Sequence, residues 1–161
     1  MAASVLIVGG THGNECNGPW LVQHWGPEPS QLQRQGLCVR TAIGNPEALQ
    51  ANRRYIDNDL NRSFIPALLD DPSTPCLEGQ RAQKFLASHG PGGITPATVL
   101  IDLHSTTSAM GSCLVLYDRR PANLALAAGC QERLGLPIYL HESDHAQTGF
   151  MAQAWPCGLA L

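Results

Sequence analysis

The sequence predicts a single α/β domain, a sheet flanked by helices on both faces. Three observations lead there. Short apolar, β-branched runs alternate along the chain with stretches of helical spacing. Glycine- and proline-rich breakers separate the two kinds of segment. The chain has 161 residues, 43% of them hydrophobic. That is the length and apolar content of one domain, which buries about two-thirds of its unfolded surface.

Each element follows from local composition. Residues 4–8 (SVLIV) read as a buried strand stopped by Gly9-Gly10. After the turn THGNECNG, Pro19 suits a first helical position, and Trp20, Leu21, Val22 and Trp25 carry a helix as far as Gly26-Pro27-Glu28-Pro29. A second strand covers Leu37 to Ile43, up to the turn Gly44-Asn45-Pro46. Residues 47–75 are polar and irregular, and so long an irregular stretch in a compact domain is often functional. Residues 77–88 have helical spacing, ended by His89-Gly90-Pro91-Gly92-Gly93. Thr98 to Leu103 is an apolar strand that runs into His104, Cys113 to Tyr117 a further strand, Ala122 to Leu134 a helix and Pro137 to Leu140 a strand. No internal repeat or low-complexity tract interrupts the pattern.

Composition excludes several classes of function. A net charge of −3 gives no broad nucleic-acid footprint, and no apolar run approaches the ~20 residues of a membrane span. Nine arginines stand against one lysine, Lys84; either rigid forks for carboxylate or phosphate or GC-rich coding produces that bias. The six cysteines (Cys16, Cys38, Cys76, Cys113, Cys130, Cys157) are scattered without a C-x-x-C pair. They read as reduced thiols of a cytoplasmic protein. The N-terminal apolar run is too short for a signal peptide.

In α/β sheets functional groups collect at the C-terminal ends of strands, and two segments place histidines there. His12 and Glu15 lie three residues apart in a glycine-bounded turn, able to share one cation; His104 follows a strand and Asp102. Two histidines and a glutamate, with a fourth position left to water, are the ligand count of a catalytic zinc site. Asp102 is expected behind the ligands, fixing a histidine tautomer, and Asp59 is placed in the same supporting role. His24, His89, His141 and His145 read as ordinary polar residues. Gly9-Gly10-x-x-Gly13 only faintly resembles a nucleotide-binding turn and lacks the full spacing. The arginine-rich segment Arg53 to Arg62 suits an anionic substrate, although composition alone equally fits a solvated charged loop.

Three motifs in order then resemble one family. Gly9-Gly10-Thr11-His12-Gly13-Asn14-Glu15, Arg54-Tyr55-Ile56-Asp57-Asn58-Asp59-Leu60-Asn61-Arg62 and Asp102-Leu103-His104-Ser105-Thr106-Thr107-Ser108-x-Met110-Gly111 are similar to the succinylglutamate desuccinylase/aspartoacylase family of zinc-carboxypeptidase-like hydrolases. The resemblance runs over the whole chain. It implies a mixed sheet of the zinc-carboxypeptidase type and one Zn(2+) per chain, held by His12, Glu15 and His104. It also implies Arg54 as the group that polarises a scissile carbonyl, and Asn61 and Arg62 as the pair that holds a substrate α-carboxylate. The implied reaction is hydrolysis of N-acyl-L-aspartate, or a related N-acyl amino acid, to a carboxylate and the free amino acid. The partner is a small molecule, not nucleic acid or membrane; a homo-oligomer is left open.

The same resemblance sets two departures. The family's proton-transferring glutamate follows a run like Gly158-Leu159-Ala160-Leu161, so it is expected immediately after Leu161 or is missing; Glu142 sits in a different context. The family's C-terminal β-rich domain, and an arginine that would hold an aspartate side chain, are not seen in residues 1–161. Residues 1–161 are therefore expected to form the zinc-hydrolase catalytic domain. The alternative is a truncated, inactive domain that binds zinc and carboxylate.

Overall fold

The computed structural model describes residues 3–142 and 148–161; His145 lies outside them. Six strands form one mixed sheet: β1 (Ala3–Gly9), β2 (Leu37–Ile43), β3 (Val99–Leu103), β4 (Leu114–Leu116), β5 (Ile138–Leu140) and β6 (Cys157–Ala160), in the order β2-β1-β3-β6-β4-β5. Four of the pairings are parallel, and β6 runs antiparallel to β4. The helices are α1 (Asn17–Trp25), α2 (Pro46–Gln50), α3 (Pro66–Leu69), α4 (Leu77–His89) and α5 (Pro121–Leu134). Alternation along the strands sorts them to two faces. Leu6, Val8 and Leu100 pack with Ala82 and Phe85 of α4. On the opposite face Ile101 and Leu159 pack with Ala127 of α5. The first core is closed by Trp155, whose ring meets Phe64 and Phe85 edge-on at 6.3 and 6.0 Å.

Most predicted elements lie within a residue or two of their expected bounds. Helix α1 begins at Asn17 rather than Pro19; the first-turn amides of a helix lack internal acceptors, so Pro19 forfeits nothing there. Helix α5 starts on Pro121 and ends where Gly135 turns left-handed (φ 68°). The stretch 47–75 is less irregular than expected. Asn45 caps α2 by accepting from Ala48 N at 3.2 Å, with Pro46 in the first turn, and residues 60–62 form a 3-10 turn capped by Asp59. Strand β6 was not predicted. Its sequence, Cys-Gly-Leu-Ala, has no β-branched residue, yet all four positions are buried and fill the gap between β3 and β4.

Two glycines fix the turn after β1. Gly10 has φ +73°, a conformation that side-chain-bearing residues adopt at a cost. At Gly13 a Cβ would lie 2.0 Å from the Ala48 carbonyl carbon, so the turn sits directly against α2. Its glycines thus serve backbone packing.

Leu100 is fully buried in the central strand β3. Replacing it with alanine is expected to lower stability by about 2–5 kcal/mol, measured by urea unfolding. A loss under about 1 kcal/mol would show that this site collapses without a cavity.

Candidate functional site

Strands β1 and β3 are parallel neighbours, with Val8 paired to Asp102 and Gly9 to Leu103. Their C-terminal ends therefore deliver the turn carrying His12 and Glu15 and the loop carrying His104 to one place. The chain after β6 completes this frame: Leu161 donates its amide to the Asp102 carbonyl (3.0 Å) and accepts from His104 N (2.7 Å). The third segment docks by one backbone bond, Gly13 N to the Arg54 carbonyl at 3.2 Å.

The structure brings His12, Glu15 and His104 together, with one ligand atom from each lying within 4.8 Å of the others. His12 Nδ1 donates to Glu15 Oε1 (2.6 Å), and His104 Nδ1 to Glu15 Oε2 (3.0 Å). Ser105 N also donates to Oε2 at 2.8 Å. The far ring nitrogens are held by two more acids. His12 Nε2 donates to Asp59 Oδ1 (2.9 Å), and His104 Nε2 to Asp102 Oδ2 (2.8 Å). Asp59 and Asp102 thus stand behind the histidines. Thr11, fully buried, donates to the other oxygen of Asp102 at 2.6 Å.

Every ring nitrogen of the pair faces a carboxylate, yet a neutral imidazole has only one N–H to donate. Without a metal, protons must fill the difference. Burial alone would lower the His104 pKa, but the Asp102 carboxylate and the hydrogen bonds to Asp102 and Glu15 raise it to about 10. His12 is raised too, its burial outweighed by hydrogen bonds to Asp59 and Glu15. Burial would raise the Glu15 pKa, but hydrogen bonds from His104 and His12 bring it down to about 2. A cation held by His12, Glu15 and His104 would replace those protons, with Asp59 and Asp102 accepting from the remaining ring N–H groups, as is usual for histidine ligands. The donor set fits zinc.

Arg54, half-exposed, lies 3.2 Å from Asp59 Oδ2 and 3.8 Å from Glu15 Oε1. Asn61 is buried, accepts from Met151 N through Oδ1 (2.8 Å) and donates from its amide nitrogen to the Tyr117 hydroxyl, which leaves its second N–H for a ligand. The Arg62 guanidinium stacks on Phe150 at 4.1 Å from the ring centroid and donates to the Asn61 carbonyl at 2.7 Å. Arg54, Asn61 and Arg62 line a cavity of about 550 Å³ with His12, Glu15 and His104, a volume suited to a small molecule.

Thr11, Tyr117, Phe150 and Glu78 were not singled out from the sequence. Tyr117 lines the cavity and stacks on Phe150 with centroids 4.0 Å apart; an aromatic ending a predicted strand was its only signal. His24 stacks on Trp20 on the surface of α1, His89 contacts Phe85, and His141 lies among Tyr117, Tyr139 and Phe150. Glu142 pairs with Arg119 at 2.8–2.9 Å and does not line the cavity.

The shifts fix a pH dependence for the metal-free chain. The His104 pKa is above its ordinary 6.5 when folded, so its stabilisation is complete below that value and is lost as pH rises through about 10. Glu15 acts in the opposite direction: its contribution is present above 4.5 and lost as pH falls toward about 2. Urea midpoints of the metal-free chain should therefore fall between pH 7 and about 10. A flat profile there, or a His104 ring that titrates near 6.5 by NMR, would contradict this arrangement.

The succinylglutamate desuccinylase/aspartoacylase catalytic-domain model matches residues 2–161. A protein named probable aspartoacylase from Parasynechococcus marenigrum is 60% identical over 157 residues, 98% of this chain and 52% of the relative. One of the same name from Prochlorococcus marinus (strain MIT 9313) is 57% identical over the same shares. The chain thus spans about half the length of the curated relatives it matches. Among solved structures, murine aminoacylase 3 superposes with a TM-score of 0.85 at 34% identity, covering 98% of this chain and 54% of that one. Succinylglutamate desuccinylase from Chromobacterium violaceum shares the fold, with a TM-score of 0.68 at 22% identity over 99% of this chain and 55% of that one. With the family model covering all but the first residue, this chain belongs to the succinylglutamate desuccinylase/aspartoacylase family.

Proposed function

We propose that residues 1–161 are the metal-bearing catalytic domain of a zinc-dependent amidohydrolase acting on N-acyl-L-aspartate or a related N-acyl amino acid. The observation that carries this reading is the convergence of His12, Glu15 and His104, with Nδ1 of both rings directed at Glu15. These three would hold one Zn(2+), and Asp59 and Asp102 would orient the rings. When bound, zinc acts as a Lewis acid that lowers the pKa of water to about 7. Arg62 and the amide of Asn61 would grip the substrate α-carboxylate, the arginine as a charge-assisted donor. Arg54, steadied by Asp59, would donate to the scissile carbonyl oxygen and stabilise the charge that develops on it. The family membership and the likeness to murine aminoacylase 3 support this chemistry. The six unpaired cysteines fit a cytoplasmic setting, and no helix among the described residues is long and apolar enough to cross a membrane.

One observation favours a second reading, an inactive domain that binds zinc and carboxylate. Among the described residues lining the cavity, the sole carboxylate is that of Glu15. As a metal ligand it is not available as the proton carrier that amide hydrolysis needs. Ala160 and Leu161 also line the cavity, so a residue joined to Leu161 begins at its wall.

Zinc-loaded chain should retain about one equivalent of metal and bind N-acetyl-L-aspartate. Release of aspartate then marks a hydrolase, and binding without release marks the second reading. His104→Ala should abolish zinc retention by elemental analysis; equal zinc in variant and parent would refute the ligand role. Arg62→Ala should weaken N-acetyl-L-aspartate binding by about 2 kcal/mol in calorimetry with zinc content unchanged. An unaltered affinity would return that segment to a purely structural part.

A further inference from the structure

Glu78 belongs to none of the three motifs and does not line the cavity, yet it is fully buried in the first turn of α4. Burial would raise its pKa, but hydrogen bonds from Ile56, Asn45, Asn58 and Asp57 lower it. Its carboxylate has no capacity to spare. Oε1 accepts from Ile56 N (2.7 Å) and Asn45 Nδ2 (3.0 Å), and Oε2 from Asp57 N and Asn58 N (both 3.1 Å). Three successive backbone amides wrapped on one anion form a nest. The attachment is reciprocal, because Asp57 Oδ2 accepts from Leu77 N at 2.8 Å and caps α4. Asp57, Cys76 and Glu78 bring ligand atoms within 4.8 Å of one another. With both Glu78 oxygens doubly occupied, that cluster is a tether for the chain and not a cation site.

The nest sits between the residues that face the cavity. Arg54 lies two residues before Ile56, and Asn61 and Arg62 lie three and four residues after Asn58. On its other side Glu78 holds Asn45, whose backbone amide donates to the Gly10 carbonyl at 2.9 Å beside the His12 turn. The segment from Tyr55 to Asn58 has one buried anion as its anchor and is otherwise mostly exposed. We propose that Glu78 is a positioning residue: by binding the amides of residues 56–58 it sets the Arg54, Asn61 and Arg62 side chains in register with the His12–Glu15–His104 cluster. This assignment rests on the carboxylate-binding part of the proposed function.

The test is Glu78→Gln, which keeps the size of the side chain but sets an NH2 group against backbone donors. In the parent chain the amides of Ile56, Asp57 and Asn58 should exchange with deuterium far more slowly than that of exposed Gly92. In the variant their exchange should rise by about tenfold or more, while zinc retention stays at the parent level. Affinity for N-acetyl-L-aspartate should fall roughly tenfold or more, since small displacements of binding groups are costly. A general loss of structure would instead lower zinc retention as well. Unchanged affinity in a folded variant overturns the proposal. So does parent exchange at residues 56–58 as fast as at Gly92, a measurement that stands even if the variant does not fold. If the parent binds neither zinc nor N-acetyl-L-aspartate, the proposed function fails and the substrate-positioning role falls with it; slow parent exchange would still separate that failure from a missing tether.

Discussion

The site is built around a shortage of protons. Four imidazole nitrogens face four carboxylate oxygens supplied by Glu15, Asp59 and Asp102, and two neutral rings own only two hydrogens between them. The surroundings must supply positive charge at the centre, as protons or as a cation. Most of the nearby architecture serves this condition. Thr11 and Ser105 donate to the acids from the protein side, and Arg54 faces Asp59 and Glu15 from the cavity side.

Such a concentration of acid is tolerable because rigid elements hold it. Asp102 is the last but one residue of β3, buried between strands on both sides, so its oxygens have few alternatives. Glu15 sits in a turn held against α2 and pinned to the Arg54 carbonyl. Elsewhere arginines do structural work: Arg81 pairs with Glu47, and Arg120 joins Asp118 to the Trp155 carbonyl. The arginine bias therefore reflects bridges between elements as well as the two guanidinium groups that face the cavity.

Much of this was legible in the sequence, for physical reasons. His12, Glu15 and His104 stand where apolar strands stop, and in a parallel sheet those ends are neighbours. The runs that form β1, β2 and β3 are short, rich in apolar and β-branched residues and bounded by breakers, which marks them as strands where periodicity alone would not. What escaped notice depends on contacts across the fold. A threonine hydroxyl such as that of Thr11 gives no sign of its acceptor. Glu78 reads as ordinary first-turn acid of an amphipathic helix, and only burial reveals its four donors. Phe150 approaches Arg62 from far along the chain. Strand β6 is short and carries a glycine, and what makes it a strand is the gap it fills.

That gap has a topological meaning. The sheet order is linear, with β2, β1 and β3 on one side of β6 and β4 and β5 on the other. Among the described residues, no sheet pairing joins the two sides except through β6, whose Leu159 and Ala160 are matched to Ile101, Asp102 and Val115. Both halves are complete in sequence before β6 begins. Without β6 they are separate fragments with open edges, one carrying the His12 turn and His104. Strand β6 is the keystone, and its contacts are the kind of distant pairing that slows folding. The face that carries His12, Glu15 and His104 acquires its final shape in the same event that unites the sheet.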